Sequence, residues 1–397
     1  MQCTPIYDFR ELEAAPGEML ELRLDQIPHT LQELRELTFT KPVIFTLRSL
    51  ENLEEYVALK PDYIDLPHHI AQPLPNLLSS YHNFERTPDL DSLLKQMRKT
   101  PARFYKIACQ ANSMDDAFRM LEFAEKQSDV LGISLGLHGK ITRLFAKPWS
   151  YVAHREARFG QYFYGKMPYL PKKLYGLIGD VTKSTSDQYH TKIPYLIMPI
   201  TASELPRFME QVKRRFAGLS VTIPLKEEVM PYLDEIDQEA ALIGAVNTIV
   251  NRDGLLVGYN TDGKGALDAL GEVQNKRITV IGAGGAAKAI VFEAVRRGAE
   301  VLILNRTAER AQELAAKWGC KAASLATHEP YDILVNTTSQ TMPIAVEYID
   351  PYTTVMDIQR VPTKLVEEAK KRHCTIVEGQ EMFVNQAKGQ YALWGIP

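Results

Sequence analysis

Through the first 168 residues, apolar positions come in short β-rich runs at 19–24, 43–47, 63–66, 77–81, 104–108 and 130–135. Between them, 30–37, 90–97 and 114–126 repeat apolar residues at the three- and four-residue spacing of a helix. That rhythm predicts parallel βα units. The interval from Leu66 to Leu77 leaves little room for a helix. Gly165-Lys-Met-Pro-Tyr-Leu-Pro-Lys-Lys173, with two prolines and three lysines, predicts a linker. A second α/β series follows. Strand patterns lie at 174–179, before Pro224 and at 244–249, and Asp262 stands at a strand-to-helix turn. A strand at 277–281, a helical pattern at 289–296 and a strand at 300–304 then complete a βαβ unit.

The chain of 397 residues has room for two or three domains at about 100–200 residues each. Hydrophobic content of 45% and a net charge of −3 fit a globular protein and give no electrostatic case for nucleic acid or an anionic membrane. No apolar run approaches membrane-spanning length. The four cysteines are scattered, without metal-ligand spacing, and the N-terminus lacks a basic segment followed by an apolar one. Reduced thiols, a cytoplasmic location and no metal are expected.

The βαβ unit carries the most specific motif. Gly282, Gly284 and Ala287 fit G-x-G-x-x-A between strand and helix. Gly282 permits the tight turn, Gly284 admits a pyrophosphate to the backbone, and Ala287 keeps helix and strand close. The second strand ends in Asn305-Arg306-Thr307, with Arg310 one turn on, where an NAD site would carry a carboxylate. Guanidinium groups there suit a 2′-phosphate, so the cofactor expected is NADP(H).

Chemistry also collects at the strand ends of the first half: Glu21, Arg23, Arg48, His82 and Lys106, then Arg143 and Gln161. Functional groups of a parallel β/α barrel gather at the C-terminal ends of its strands. Lys106 sits inside the apolar run Phe104-Tyr-Lys-Ile-Ala108. Burial there is expected to lower its pKa and free the amine to form an imine with a ketone. His82 would move the proton, and Arg143 or Arg23 would fork onto a substrate carboxylate. In the second half, the hydroxyls of Ser184 and Ser186 could hold a carboxylate, with ordinary N-capping as the alternative. Lys226 and Asp262, at neighbouring strand ends, predict a proton-relay pair rather than a surface salt bridge, since the glycine motif follows at once.

The first half resembles type I 3-dehydroquinate dehydratase in Glu21-Leu-Arg23-Leu-Asp25, Thr46-Leu-Arg48, Ser80-Tyr-His82-Asn-Phe84, Tyr105-Lys106-Ile-Ala108, Thr142-Arg143 and Gly160-Gln161. The resemblance implies Lys106 as the Schiff-base residue and His82 as acid and base. Glu21, Arg23, Arg48, Arg143 and Gln161 would contact substrate. The Glu-Gly-Gly loop usual after Arg48 is missing, with Glu51 nearest, and the half is short against the roughly 250 residues of such barrels.

Residues 175–397 resemble shikimate dehydrogenase in Ser184-Thr-Ser186, Val221-Thr222-Ile-Pro-Leu-Lys226, Gly244-Ala-Val-Asn247, Asn260-Thr-Asp262, Gly282-Ala-Gly-Gly-Ala286, Asn305-Arg-Thr307 and Gln386. This implies Lys226 and Asp262 as the catalytic pair. Ser184, Ser186, Thr222, Asn247 and Gln386 would hold shikimate. Gly282, Gly284, Gly285, Ala286, Asn305, Arg306, Thr307 and Arg310 would hold NADP. Lys183, Thr191, Thr341 and Arg360 depart from the family pattern.

The expected fold is α/β: a shortened parallel β/α barrel over 1–168, a substrate-binding domain over 174–270 plus 376–397, and a Rossmann NADP domain over 271–375. The order dehydratase-then-dehydrogenase resembles the fused enzyme of plants and chlamydia-like bacteria. A monofunctional dehydrogenase with an inert barrel, motivated by the missing loop, is the alternative.

Overall fold

The computed structural model describes residues 1–154, 157, 160–163, 174–181, 190 and 193–397. Ser184, Ser186, Lys183, Thr191 and most of the expected linker lie outside the described residues. The chain divides into two compact units, 1–174 with 182–200, and 175–181 with 201–397.

The first unit is built on strands β1 (Gln2–Ile6), β2 (Met19–Leu22), β3 (Val43–Thr46), β4 (Tyr63–Pro67), β5 (Leu77–Asn83), β6 (Phe104–Gln110), β7 (Val130–Leu135), β8 (Ser150–Ala153) and β9 (Tyr162–Phe163). They lie in the order β7-β6-β5-β4-β3-β2-β1-β8-β9. Every neighbouring pair is parallel. This is the strand order of a β/α barrel, with no pairing of β7 to β8 among the described residues. Cys3 on β1, Ile44 on β3, Leu78 on β5, Leu131 on β7 and Tyr151 on β8 share one buried cluster. Strands so far apart in the sheet meet only if it curls around its inner face.

Short helices cover the outside. Leu90–Met97 is capped by Asp89, which accepts from the Ser92 N–H, and buries Leu90, Leu93, Leu94 and Met97. Those four positions form one helical stripe. Burying each such side chain contributes about 1.5–3 kcal/mol. Ser113 caps Met114–Glu125 in the same way. Between β4 and β5 the chain makes turns and no helix, as the spacing predicts.

The second unit holds two sheets. One contains Leu174–Gly179, Phe216–Val221, Thr248–Arg252, Leu255–Tyr259 and Glu235–Ile236 in that spatial order. Thr248–Arg252 runs antiparallel to both of its neighbours. Helix Asp262–Leu270 leads into the other, a parallel sheet of six strands. Its spatial order is Lys321–Ala323, Glu300–Leu304, Arg277–Ile281, Ile333–Asn336, Thr354–Asp357, Thr375–Glu378. That is the 3-2-1-4-5-6 order of a Rossmann sheet, which places its ligand crevice beside the first strand.

Helix Gly379–Trp394 returns to the first of these sheets, where the Trp394 indole N–H donates to the Ile249 carbonyl at 3.0 Å. A Cβ on Gly265 would lie 2.8 Å from the Gln386 nitrogen, so glycine lets the returning helix approach Asp262–Leu270 closely.

Candidate active sites

The inner face of the barrel sheet carries charge as well as apolar side chains. Lys106 Nζ donates to Glu21 Oε1 at 2.9 Å and to Asp65 Oδ2 at 3.0 Å. All three side chains are buried. Strand alternation places them: Glu21 follows Leu20, and Asp65 follows Ile64, each of which faces the outer core. Thr46 donates to Glu21 at 3.0 Å, and Ser80 donates to Asp65 at 2.5 Å. A cavity of about 290 Å³ opens above, lined by Glu21, Arg23, Arg48, His82, Lys106, Arg143, Tyr151 and Gln161 among others. Every residue singled out for the barrel site therefore reaches one mouth.

Two expectations change. Burial does act to lower the Lys106 pKa, but the carboxylates of Asp65 and Glu21 outweigh it and raise the ammonium well above its ordinary value. Lys106 is thus held charged and must yield protons to the incoming ketone's oxygen. The Arg23 fork is taken by Asp25, Nε to Oδ1 at 2.9 Å and Nη2 to Oδ2 at 2.8 Å. Arg143, whose guanidinium burial pushes down to about 10, is the better carboxylate seat.

Asp65 escaped the sequence reading. Burial pushes its carboxyl up, yet Lys106, Arg48 and a Ser80 hydrogen bond hold it well below the usual carboxylate range. Its signal was the same as that of Lys106, a charge inside an apolar strand. His82 is pushed down to about 4, chiefly by burial and then by the Lys106 charge, so its imidazole is neutral at pH 7 and able to accept a proton. Around the cavity, Lys106, Arg23, Arg48 and Arg143 face Glu21, Asp25 and Asp65. The cations exceed the carboxylates by one, which favours a ligand bearing a single carboxylate.

The second site centres on Lys226, whose Nζ lies 2.5 Å from Asp262 Oδ2. Their side chains are 15% and 3% exposed, which sets the pair apart from a surface salt bridge. Lys226 lies in the short helix Leu225–Glu228, and Asp262 opens helix Asp262–Leu270. Asn247, just before its strand rather than within it, donates through Nδ2 to Asp262 Oδ1 at 2.8 Å, Thr261 Oγ1 at 2.9 Å and Gln386 Oε1 at 3.0 Å. Four of the residues singled out by sequence thereby form one network. Thr222 stands at the adjoining turn, its N–H bonded to the Ile178 carbonyl at 2.9 Å. Thr261 and Gln390 were not singled out. Gln390 accepts from Ser220 at 2.9 Å and donates to the Asn247 carbonyl at 3.3 Å.

The glycine turn lies against this network. Gly282 has φ +117°, and a Cβ there would meet Thr337 Oγ1 at 2.3 Å. A Cβ on Gly284 would meet nothing within 4 Å, so the space over that turn is open. Gly284 precedes helix Gly285–Arg296 without a side-chain cap, which leaves the first N–H groups for a phosphate. A Cβ on Gly285 would come 3.2 Å from Lys226 side-chain atoms, so a dinucleotide on this turn reaches the Lys226–Asp262 pair. Ala286 is half-buried beside it. At the end of Glu300–Leu304, Asn305 donates to the Thr307 carbonyl at 2.8 Å, while Arg306, Thr307 and Arg310 are exposed. The donor set fits a phosphorylated dinucleotide. Arg360 stacks its guanidinium 4.2 Å from the centre of the Phe383 ring, one turn before Gln386.

An amine-bearing barrel and a dinucleotide-dependent reductase are thus joined in one chain. Residues 75–167 match the family of type I 3-dehydroquinase. Residues 181–249 match the shikimate dehydrogenase substrate binding domain, and 264–350 match shikimate / quinate 5-dehydrogenase. The Shikimate biosynthesis protein AroDE of Chlamydia pneumoniae is 32% identical over 95% of this chain and 90% of its own length. The chloroplastic bifunctional 3-dehydroquinate dehydratase/shikimate dehydrogenase of Arabidopsis thaliana is 30% identical over 96% of this chain and 78% of its own. Among solved structures, shikimate 5-dehydrogenase from Thermus thermophilus, in complex with NADP(H) and shikimate, matches with TM-score 0.54 and 31% identity. That match covers 56% of this chain and 93% of the other. The chain belongs to the family of bifunctional 3-dehydroquinate dehydratase/shikimate dehydrogenases of the shikimate pathway.

Proposed function

We propose that residues 1–168 convert 3-dehydroquinate to 3-dehydroshikimate through an imine on Lys106, and that the remainder reduces 3-dehydroshikimate to shikimate with NADPH. In the barrel, His82 takes the proton next to the imine carbon and returns it to the departing hydroxyl. Arg143 seats the carboxylate, with Glu21, Arg23, Arg48 and Gln161 around the ring. Residues 174–270 with 376–397 hold the second substrate through Ser184, Ser186, Thr222, Asn247 and Gln386. Residues 271–375 hold the dinucleotide on Gly282–Ala286, with Asn305, Arg306, Thr307 and Arg310 at the 2′-phosphate. NADPH supplies the hydride. Lys226, positioned by its hydrogen bond to Asp262, donates the proton to the carbonyl oxygen.

The observation that carries this reading is Lys106 between Glu21 and Asp65 on the floor of a cavity that also holds His82 and Arg143. An inert barrel would have no need of a buried cation in that setting. Supplied separately, 3-dehydroquinate should give 3-dehydroshikimate without cofactor, and 3-dehydroshikimate should consume NADPH. Failure of the first reaction alone would select the inert barrel. The scattered thiols, none of them paired, favour a cytoplasmic protein.

Two further results are expected. Because His82 titrates near 4 rather than at its ordinary 6.5, kcat/KM for dehydration should hold as pH falls through 6.5 and decline only towards 4. An acid limb at 6.5 in the pH profile would contradict this assignment. Arg306→Ala should raise KM for NADPH about 10- to 100-fold through loss of charge-assisted hydrogen bonds. Activity with NADH should be unchanged, and an equal loss with both cofactors would place Arg306 elsewhere.

A further inference from the structure

We propose that the aromatic ring of Tyr151 carries the positive charge of the reacting nitrogen through the imine stage, a role that rests on the dehydratase reading above. Tyr151 lies on β8 and is 4% exposed. Its ring lines the barrel cavity, and Lys106 Nζ stands 4.4 Å from the ring centre. The Tyr151 hydroxyl is buried and makes no hydrogen bond of ordinary geometry. The nitrogen thus has the ring beside it, together with the buried phenolic oxygen that helps to hold the ammonium charged.

The chemistry of the nitrogen explains why a ring matters. The ammonium offers N–H bonds to both Glu21 and Asp65. When it condenses with a ketone, two of its three protons leave with the carbonyl oxygen as water. The product is a protonated imine, still singly positive, with one N–H. It can retain a direct hydrogen bond to only one of the two carboxylates. Attraction to the face of a ring needs no N–H and acts on the ammonium and the iminium alike. Tyr151 is thus the partner whose contact survives the change in bonding. No other aromatic ring stands over Lys106 among the described residues.

The test compares Tyr151→Phe with Tyr151→Leu in the full chain. Dehydration of 3-dehydroquinate gives kcat and KM, and borohydride trapping reports the imine on Lys106. Reduction of 3-dehydroshikimate by NADPH, together with the melting temperature, reports folding. Phenylalanine keeps the ring and should stay within about twofold of the parent in kcat. Leucine should lose about thirtyfold in kcat with a smaller change in KM. A cavity floor that merely collapsed would instead raise KM. Parental kcat in Tyr151→Leu, or an equal fall in both variants, would overturn the proposal while leaving the dehydratase reading intact. Absence of any trapped adduct in the unaltered protein would defeat the dehydratase reading, and this proposal with it.

Discussion

Lys106→Arg gives a folded protein whose dehydration of 3-dehydroquinate has fallen by at least about 10⁴-fold. Arginine keeps a cation between Glu21 and Asp65 but remains protonated and forms no imine. Mass spectrometry after borohydride treatment with substrate should show an adduct on the parent and none on the variant. A trapped adduct on another lysine would contradict the assignment. Lys106→Ala separates chemistry from stability. It strands two carboxylates that the structure buries side by side, at a cost of about 3–5 kcal/mol. In the parent, Lys106 helps to hold both carboxyls below their ordinary values. They therefore add stability above the ordinary carboxylate range that is lost as pH falls through their depressed values. Without the lysine, burial and mutual repulsion raise both, so the sign reverses. Lys106→Ala should gain stability relative to the parent as pH falls from neutrality, read as melting temperature against pH. A constant difference between the two would argue against coupling of the three groups.

Lys226→Met should lower kcat for 3-dehydroshikimate reduction by about 10²- to 10⁴-fold, the usual contribution of a general acid. Dehydration should be unaffected. The unbranched side chain keeps most of the volume beside Gly285, and Asn247 still donates to Asp262 at 2.8 Å, so the turn and the returning helix remain anchored. KM for NADPH should accordingly change little. A large rise in that KM with kcat preserved would make Lys226 a cofactor contact rather than the proton donor.

Much of this architecture was legible from local pattern. Strand candidates at 63–66, 104–108 and 130–135 coincide with β4, β6 and β7 to within two residues. β1 and β8 were not anticipated. Gln2–Ile6 carries Pro5 and two polar residues, and Ser150–Ala153 has only four residues, too few to establish a period. Both gain their strand character from their neighbours, β1 pairing with β2 and β8, and β8 with β1 and β9. The reductase network was legible because Lys226 and Asp262 mark strand-to-helix turns and Asn247 is a polar residue in an apolar run, whereas Gln386 was reached only through the family resemblance. The charge state of Lys106 was not. Its partners lie 85 and 41 residues away, and a sequence window shows the burial of a lysine but not what shares the cavity. Asp65 was missed for the same reason, and Arg23 was given a role that its neighbour Asp25 already fills.

One chain is expected to carry both reactions. The most direct test supplies purified protein with 3-dehydroquinate and NADPH alone and follows NADPH at its absorbance maximum. Oxidation of NADPH with formation of shikimate is the expected result, since neither site can produce it without the other. No oxidation with 3-dehydroquinate, together with normal turnover once 3-dehydroshikimate is added, would contradict the account and leave the barrel without the activity assigned to Lys106.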